Sequence, residues 1–176
     1  MKNNSLFGVE LLNLKKKHDS RGFFSEAFRT NWQRNFLPIQ WNVVFSKSNT
    51  LRGMRVHLNH TDYVILISGR GVYGLKDLRK NSPSEGKVSM VEIDSKKLQV
   101  LIIPPGIAHG FYFYENSIYV YGVDYYYNPK DEIKFSYLDS DLGIKWPAAK
   151  PILSSRDKRL PKMAKIMPLI PVWKAA

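Results

Sequence analysis

Apolar and polar residues alternate along most of this chain in short runs, each closed by a turn signal, and the pattern predicts strands. Residues 39–46, Ile-Gln-Trp-Asn-Val-Val-Phe-Ser, are strand-like. Residues 54–57, 63–68, 72–78, 87–93 and 99–103 repeat the pattern with many β-branched side chains. Residues 5–14 alternate weakly and read as an edge strand. Asp19-Ser-Arg-Gly22 is a turn leading into a short strand or loop over 23–28, and residues 31–36 have the make-up of one helical turn. Gly69-Arg-Gly71 reads as a tight hairpin. Residues 110–114 and 117–126 read as a further pair across Glu115-Asn116, which Asn128-Pro129 ends. Prolines at 147, 151, 161, 168 and 171 make the tail mostly irregular, with one helix expected near 160–167. Many short strands at regular spacing imply an all-β antiparallel fold, most simply a double-sheet jelly roll.

Composition narrows the class without changing the fold. The 176 residues suit one domain, 1–176, with room for a substantial core. Apolar content is 44% and charged content 24%, ordinary for a globular protein, and no run approaches the length of a membrane span. The absence of cysteine excludes disulfides and thiolate chemistry. No signal-peptide core opens the chain, so a cytoplasmic location is the expectation. The net charge of +12 is the unusual number. Its lysines and arginines are spread out, apart from Lys15-Lys16-Lys17 and residues 156–165, and neither stretch has a nucleic-acid motif. A basic pocket for a diphosphate accounts for the excess better than nucleic-acid binding does.

Two segments carry the candidate chemistry. Thr50-Leu-Arg-Gly-Met-Arg-Val-His57 sets Arg55 and His57 two residues apart, on one side of a strand. In Ile102-Ile-Pro-Pro-Gly-Ile-Ala-His-Gly-Phe111, a Pro-x-Gly-x-x-His turn puts His109 at a strand start. Arginine and histidine groups thus enter one interior, which suits an anionic ligand, proton transfer or a metal. Arg52, in Leu-Arg-Gly, suits a phosphate, because a guanidinium binds oxyanions in bidentate fashion.

With these pieces in order, the chain resembles the dTDP-4-dehydrorhamnose 3,5-epimerase family of the cupin superfamily. The matching pieces run from about residue 19 to residue 161. They are Asp19-Ser-Arg-Gly-Phe-Phe-Ser-Glu26, Gln40-Trp-Asn42, Leu51-Arg-Gly53, Asp77-Leu-Arg-Lys-Asn-Ser-Pro83, Ile103-Pro-Pro-Gly-Ile-Ala-His-Gly-Phe111, Gly143-Ile-Lys-Trp-Pro147 and Leu153-Ser-Ser-Arg-Asp157. The resemblance implies a cupin-type double-stranded β-helix with a short irregular tail. It implies proton abstraction beside the C4 ketone of a nucleotide-linked sugar by a His–Asp base, with a tyrosine acid, a lysine near the enolate oxygen, and no metal or cofactor. It also implies a homodimer in which N-terminal segments contribute to the partner's site. By this match Arg21, Glu26, Gln40, Asn42, Arg52, His109, Glu132 and Arg156 contact the nucleotide-sugar, Tyr121 is the acid, and Asp157 partners the base.

The departures fall at the chemistry. The base position holds Arg55, the enolate-side lysine position holds Asp62, and a nearby aspartate position holds Tyr73. His57, two residues on, is the replacement base, oriented by Asp157, with Arg55 steadying the enolate. Epimerisation at one carbon, or ketoisomerisation, also suits such a site; some sugar-nucleotide ketoisomerases carry Arg-Gly-x-His-x-His, whose second histidine His57 matches. A second reading is a metal-dependent cupin in which His57, Asp62 and His109 form a facial triad. A third is a sugar-nucleotide-binding homologue without activity. Plainer roles stand beside these: a structural His57, a packing Tyr121, Asp62 and an exposed His60 as turn residues, a surface Arg21–Glu26 pair, and Phe23 and Phe24 as core or a stacking face.

Overall fold

The computed structural model describes residues 6–32, 36–170 and 172–173. Among them are twelve strands: β1 (Glu10–Asn13), β2 (Lys17–Asp19), β3 (Gly22–Phe24), β4 (Gln40–Ser46), β5 (Thr50–His57), β6 (Asp62–Ser68), β7 (Arg70–Asp77), β8 (Val88–Asp94), β9 (Gln99–Ile103), β10 (Ile107–Phe113), β11 (Ser117–Val123) and β12 (Glu132–Lys134). One antiparallel sheet has the order β1-β9-β6-β11-β4 and a second the order β12-β5-β10-β7-β8. The hairpin β2–β3 stands apart as a two-stranded ribbon. The expected all-β jelly roll is what forms, with β1 at an edge. No described helix is long and apolar enough to cross a membrane.

Two expected pairings are corrected. Strands β6 and β7 do not make a hairpin at Gly69: β6 lies in the first sheet and β7 in the second. Gly69 instead turns the corner between sheets, at φ +95°, where a Cβ would come within 2.1 Å of Ser117 Oγ. Likewise β10 and β11 follow one another across Glu115-Asn116 but enter opposite sheets. Glycine-rich corners and hairpins look alike in sequence, because both need the same backbone freedom. The helix expected near 160–167 is replaced by single 3-10 turns at Met163–Lys165 and Met167–Leu169. Of the helical turn expected at 31–36, positions 33–35 lie outside the described residues, and 31–32 form a turn and bend.

The two sheets face each other over a core that includes Val64, Leu66 and Leu101 from the first and Tyr73, Leu75, Phe111 and Phe113 from the second. The irregular tail has a packing role. Phe135, Tyr137, Leu142, Met163 and Ile166 cover Leu51, Met54, Val56, Val72 and Tyr112 on the outer face of the second sheet. Burial of such side chains stabilises by roughly 1.5–3 kcal/mol each, which holds a segment that has little secondary structure of its own. On the outer face of the first sheet, Tyr63, Ile65, Val100 and Ile102 are covered by Phe28, Trp32 and Phe36. Further along that face Trp41, Val43, Phe45 and Ile67 remain exposed.

The Asp77-Leu-Arg-Lys-Asn-Ser-Pro83 piece proves to be architectural. Asp77 is fully buried and accepts hydrogen bonds from Arg79 Nε (2.9 Å), Arg79 Nη2 (2.8 Å), the Arg79 amide (3.0 Å), Ser82 Oγ (2.6 Å) and Ser84 Oγ (2.6 Å). Arg79 Nη2 also donates to the Phe7 carbonyl, tying the N-terminal segment to this corner.

Candidate active site

Strand β5 puts Arg55 and His57 on the face turned toward the first sheet, because Met54 and Val56 alternate with them into the outer cluster. Its neighbours set the register: His109 of β10 lies opposite Arg55, and Glu132 and Lys134 of β12 lie opposite His57 and Arg55. The first sheet brings Asp62 and Val64 from β6 and Tyr119, Tyr121 and Val123 from β11. These side chains line one cavity of about 240 Å³ at an end of the jelly roll. Gln40, Asn42, Tyr125, Tyr127 and Arg156 complete its wall.

Asp62 is the hub. Its Oδ2 lies 3.4 Å from His57 Nε2 and 3.5 Å from His109 Nε2, and its Oδ1 lies 3.8 Å from His60 Nε2. His60 stacks on His57 with ring centroids 3.8 Å apart and bonds Asp131 through Nδ1. Asp131 in turn accepts from the Leu58 amide (3.2 Å) and Asn59 Nδ2 (2.6 Å), which fixes the loop that carries His60. His109 Nδ1 is 3.1 Å from the Ile107 carbonyl, so that nitrogen carries the proton and Nε2 presents its lone pair to the cavity. Burial, with Arg55 beside it, pushes His109 down to about 3. Burial, then His109, His60, Arg55 and Lys134, takes His57 well below its ordinary value, so its imidazole is neutral. Burial pushes the Asp62 carboxyl up to about 7.

A cationic pair borders the hub. Arg55 Nη1 is 3.0 Å from Glu132 Oε2, and Lys134 holds the other Glu132 oxygen. Burial alone would raise Glu132, but Arg55 and Lys134 hold it below the usual carboxylate range. Tyr119 is pushed up to about 12 by burial, and Tyr121 is raised by the same cause, so both keep their phenolic protons.

Of the residues expected at the site, Gln40, Asn42, Arg55, His57, His109, Tyr121, Glu132 and Arg156 meet in this cavity, as does Asp62. Four do not line it. Asp157 sits on a 3-10 turn with its amide bonded to Ser154 Oγ, and the carboxylate beside His57 is Asp62 instead. Arg52 is spent on Ser46 Oγ (2.9 Å) and the Phe45 carbonyl (3.0 Å). Arg21 pairs with Asp19 on the exposed ribbon, and Glu26 with Arg29. His60, expected to be exposed in a turn, is instead partly buried against His57 and Asp131, its side chain 11% exposed. The spacing His57-x-x-His60-x-Asp62 was the available signal, read too readily as turn chemistry. Tyr119 and Lys134 each lie two residues from an expected site residue, Tyr121 and Glu132, and strand alternation was their signal, whereas Asp131 had none beyond residue type.

Comparison with known proteins places this architecture. The family model for dTDP-4-dehydrorhamnose 3,5-epimerase matches residues 3–165. A dTDP-4-dehydro-6-deoxyglucose 3-epimerase of a Streptomyces species is 31% identical over 160 residues, 87% of this chain and 82% of that protein. The dTDP-4-dehydrorhamnose 3,5-epimerase of Salmonella typhimurium is 31% identical, over 87% of this chain and 89% of its own. Among solved structures, the dTDP-6-deoxy-D-glucose-3,5-epimerase of Legionella pneumophila, in complex with dTDP-4-keto-L-rhamnose, superposes with a TM-score of 0.87 at 28% identity, covering 95% of this chain and 94% of that one. With its jelly roll, its end cavity and these relatives, the chain belongs to the dTDP-4-dehydrorhamnose 3,5-epimerase family.

Proposed function

We propose that this protein enolises a dTDP-linked 4-keto-6-deoxy sugar, removing a proton from a carbon beside the C4 ketone and returning it. The observation that carries the reading is that His57 and Tyr121 enter one cavity from opposite sheets, a neutral imidazole from β5 and a protonated phenol from β11. His57 takes the proton, and Asp62 beside it stabilises the imidazolium. Arg55, aimed into the same space by Glu132, steadies the enolate oxygen in place of a lysine. Tyr121 supplies the proton on the other side of the ring. A cavity of about 240 Å³ suits one sugar ring, which leaves the nucleotide at the mouth near Gln40, Asn42 and Arg156. The whole chain serves as a single functional unit in this reading.

Tyr121→Phe is expected to lower epimerised product about 10²- to 10⁴-fold, the range for a general acid. Deuterium wash-in at the acidic carbon is expected to fall far less, because His57 performs that step. Proton NMR in deuterated water reads both. Equal loss of wash-in and product would remove Tyr121 from the acid role.

The functional assembly in this reading is a homodimer. Support comes from the first sheet, where Trp41, Val43, Phe45 and Ile67 form an exposed apolar stripe, Val43 at 72% exposure. The β2–β3 ribbon, with Phe23 and Phe24 exposed, is an arm able to carry Arg21 to a partner's cavity. Light scattering is expected to give twice 20.4 kDa for the protein and 20.4 kDa for Val43→Glu. A monomeric parent protein would contradict it.

A further inference from the structure

The basic run over residues 156–165 contributes only Arg156 to the cavity. Residues 158–173 carry Lys158, Arg159, Lys162 and Lys165 and no acid. The fold sorts this segment into two sides. Met163 and Ile166 are buried against the outer face of the second sheet. Backbone anchors hold them there: the Met163 amide donates to Asp139 Oδ2 (2.6 Å) and the Ser136 amide to the Pro161 carbonyl (2.7 Å). The four basic side chains are left exposed, and none of them makes an ion pair or a side-chain hydrogen bond among the described residues. Asp139, which touches the segment, turns both oxygens to backbone amides, those of Met163 and Asp141. Apolar side chains continue the exposed surface. Met167, Leu169 and Val172 stand open, Leu169 at 59%, and Leu138 is 72% exposed close to the Ser136–Pro161 contact. Like charges fixed on one short segment repel one another, and an anionic partner relieves that repulsion.

We propose that the exposed side of residues 158–169, together with Val172, docks on the surface of an anionic lipid bilayer. The charges are complementary: phosphate-bearing headgroups present a layer of negative charge that lysine and arginine reach without a shaped pocket. The apolar residues decide between possible anions. Met167, Leu169 and Val172 can enter the boundary between headgroups and acyl chains, while the long basic side chains stay at headgroup level. A nucleic acid would use the charges and leave those three in water. The one-turn 3-10 helices Met163–Lys165 and Met167–Leu169 also give it no element long enough to lie in a groove. The contact is peripheral, since no described helix is long and apolar enough to cross a membrane. It lies over the second sheet, so it leaves the Trp41, Val43, Phe45 and Ile67 stripe of the first sheet free.

The test is sedimentation of the whole chain with sucrose-loaded vesicles, one set of phosphatidylglycerol and phosphatidylcholine in equal parts and one of phosphatidylcholine alone. At about 0.1 M salt the protein is expected to sediment with the first set and stay in solution with the second. It is expected to be released as salt rises toward about 1 M, where screening shortens to about 3 Å. Each basic side chain close to such a surface strengthens association about 5-fold, so Lys162→Glu with Lys165→Glu is expected to weaken it about 100-fold or more. Lys96→Glu with Lys97→Glu makes the same change of net charge on the 3-10 turn Ser95–Lys97 and is expected to cost less than about 10-fold. Met167→Ser with Leu169→Ser is expected to weaken binding about 10-fold or more at unchanged net charge. All six side chains are exposed, and circular dichroism of each variant confirms that the fold is kept. Equal sedimentation with both vesicle sets, none with either, or equal losses in the two lysine pairs would overturn the docking side. So would binding that ignores Met167→Ser with Leu169→Ser and is tighter on a single-stranded oligonucleotide than on vesicles, which would assign the charges to nucleic acid.

Discussion

His57→Ala is expected to remove at least about 10³-fold of the solvent-deuterium exchange that the protein catalyses on dTDP-4-keto-6-deoxyglucose, the upper range for loss of a positioned general base. The size of the effect follows from the lack of a ready substitute. Arg55 lies nearby, but its guanidinium stays protonated and is held by Glu132 at 3.0 Å, so it cannot accept a proton. His109 turns its free nitrogen into the hub, and the same burial that pushes it down to about 3 makes it a poor base. His60 is closest in kind, but its Nε2 lies 3.8 Å from Asp62 and its ring is stacked behind His57. Binding of dTDP is expected to survive within a few-fold, because the nucleotide is assigned to the cavity mouth. NMR in deuterated water decides the matter and shows whether deuterium enters at C3, C5 or both. Exchange that persists at the parent rate in His57→Ala would move the base to His60.

The largest expected effect on stability lies away from the site. Asp77→Ala is expected to cost about 3–5 kcal/mol, the cost of breaking a buried ion pair from one side. The carboxylate collects five hydrogen bonds, and without it the Arg79 guanidinium, 8% exposed, keeps its charge in the interior with, among the described residues, the Phe7 carbonyl as its remaining hydrogen-bond acceptor. For a chain of this size that corresponds to a melting temperature lower by roughly 10 °C or more. Acid should narrow the difference. Burial alone would raise the Asp77 carboxyl, but its bonds from Arg79, Ser82 and Ser84 hold it below its ordinary value. Its stabilisation is therefore complete above the unfolded-chain value of about 3.9 and is lost as pH falls through the lower folded value. Melts at pH 7 and at pH 3 are expected to show a gap between parent and variant that is narrower at the second pH, by up to about 1 kcal/mol. An equal gap at both would show that the charge of Asp77 contributes little.

Alternation along the chain was enough to place most strands, since each buries one face or both, and the class of fold followed from their number. Partner strands were not legible. Gly69-Arg-Gly71 has hairpin composition, yet Gly69 sits where Ser117 leaves no room for a side chain and the chain turns into the other sheet. Strand alternation and the Pro-x-Gly-x-x-His turn were enough to send Arg55, His57 and His109 into one interior, whereas Gln40, Asn42, Tyr121 and Glu132, which also line the cavity, were named through the family resemblance alone. His60 and Asp131 were not legible, because they meet through a loop and a segment 71 positions apart. Asp157 was misplaced beside His57 because its role came from resemblance, and Arg55 with Asp62 had already rearranged that corner.

The order of strands has a consequence during synthesis. Within the two large sheets, among the described residues, only β7 and β8 pair with a neighbour in sequence. Strand β4 pairs solely with β11, and β6 waits for β9 and β11. A growing chain therefore holds β6 without a partner until residue 103 has been made and β4 without one until residue 123. Long-range closure of this kind is slow, and the nascent chain spends that interval with strand edges open to other chains. Yield of soluble protein should thus respond to expression temperature and rate more than the stability of the finished fold would suggest.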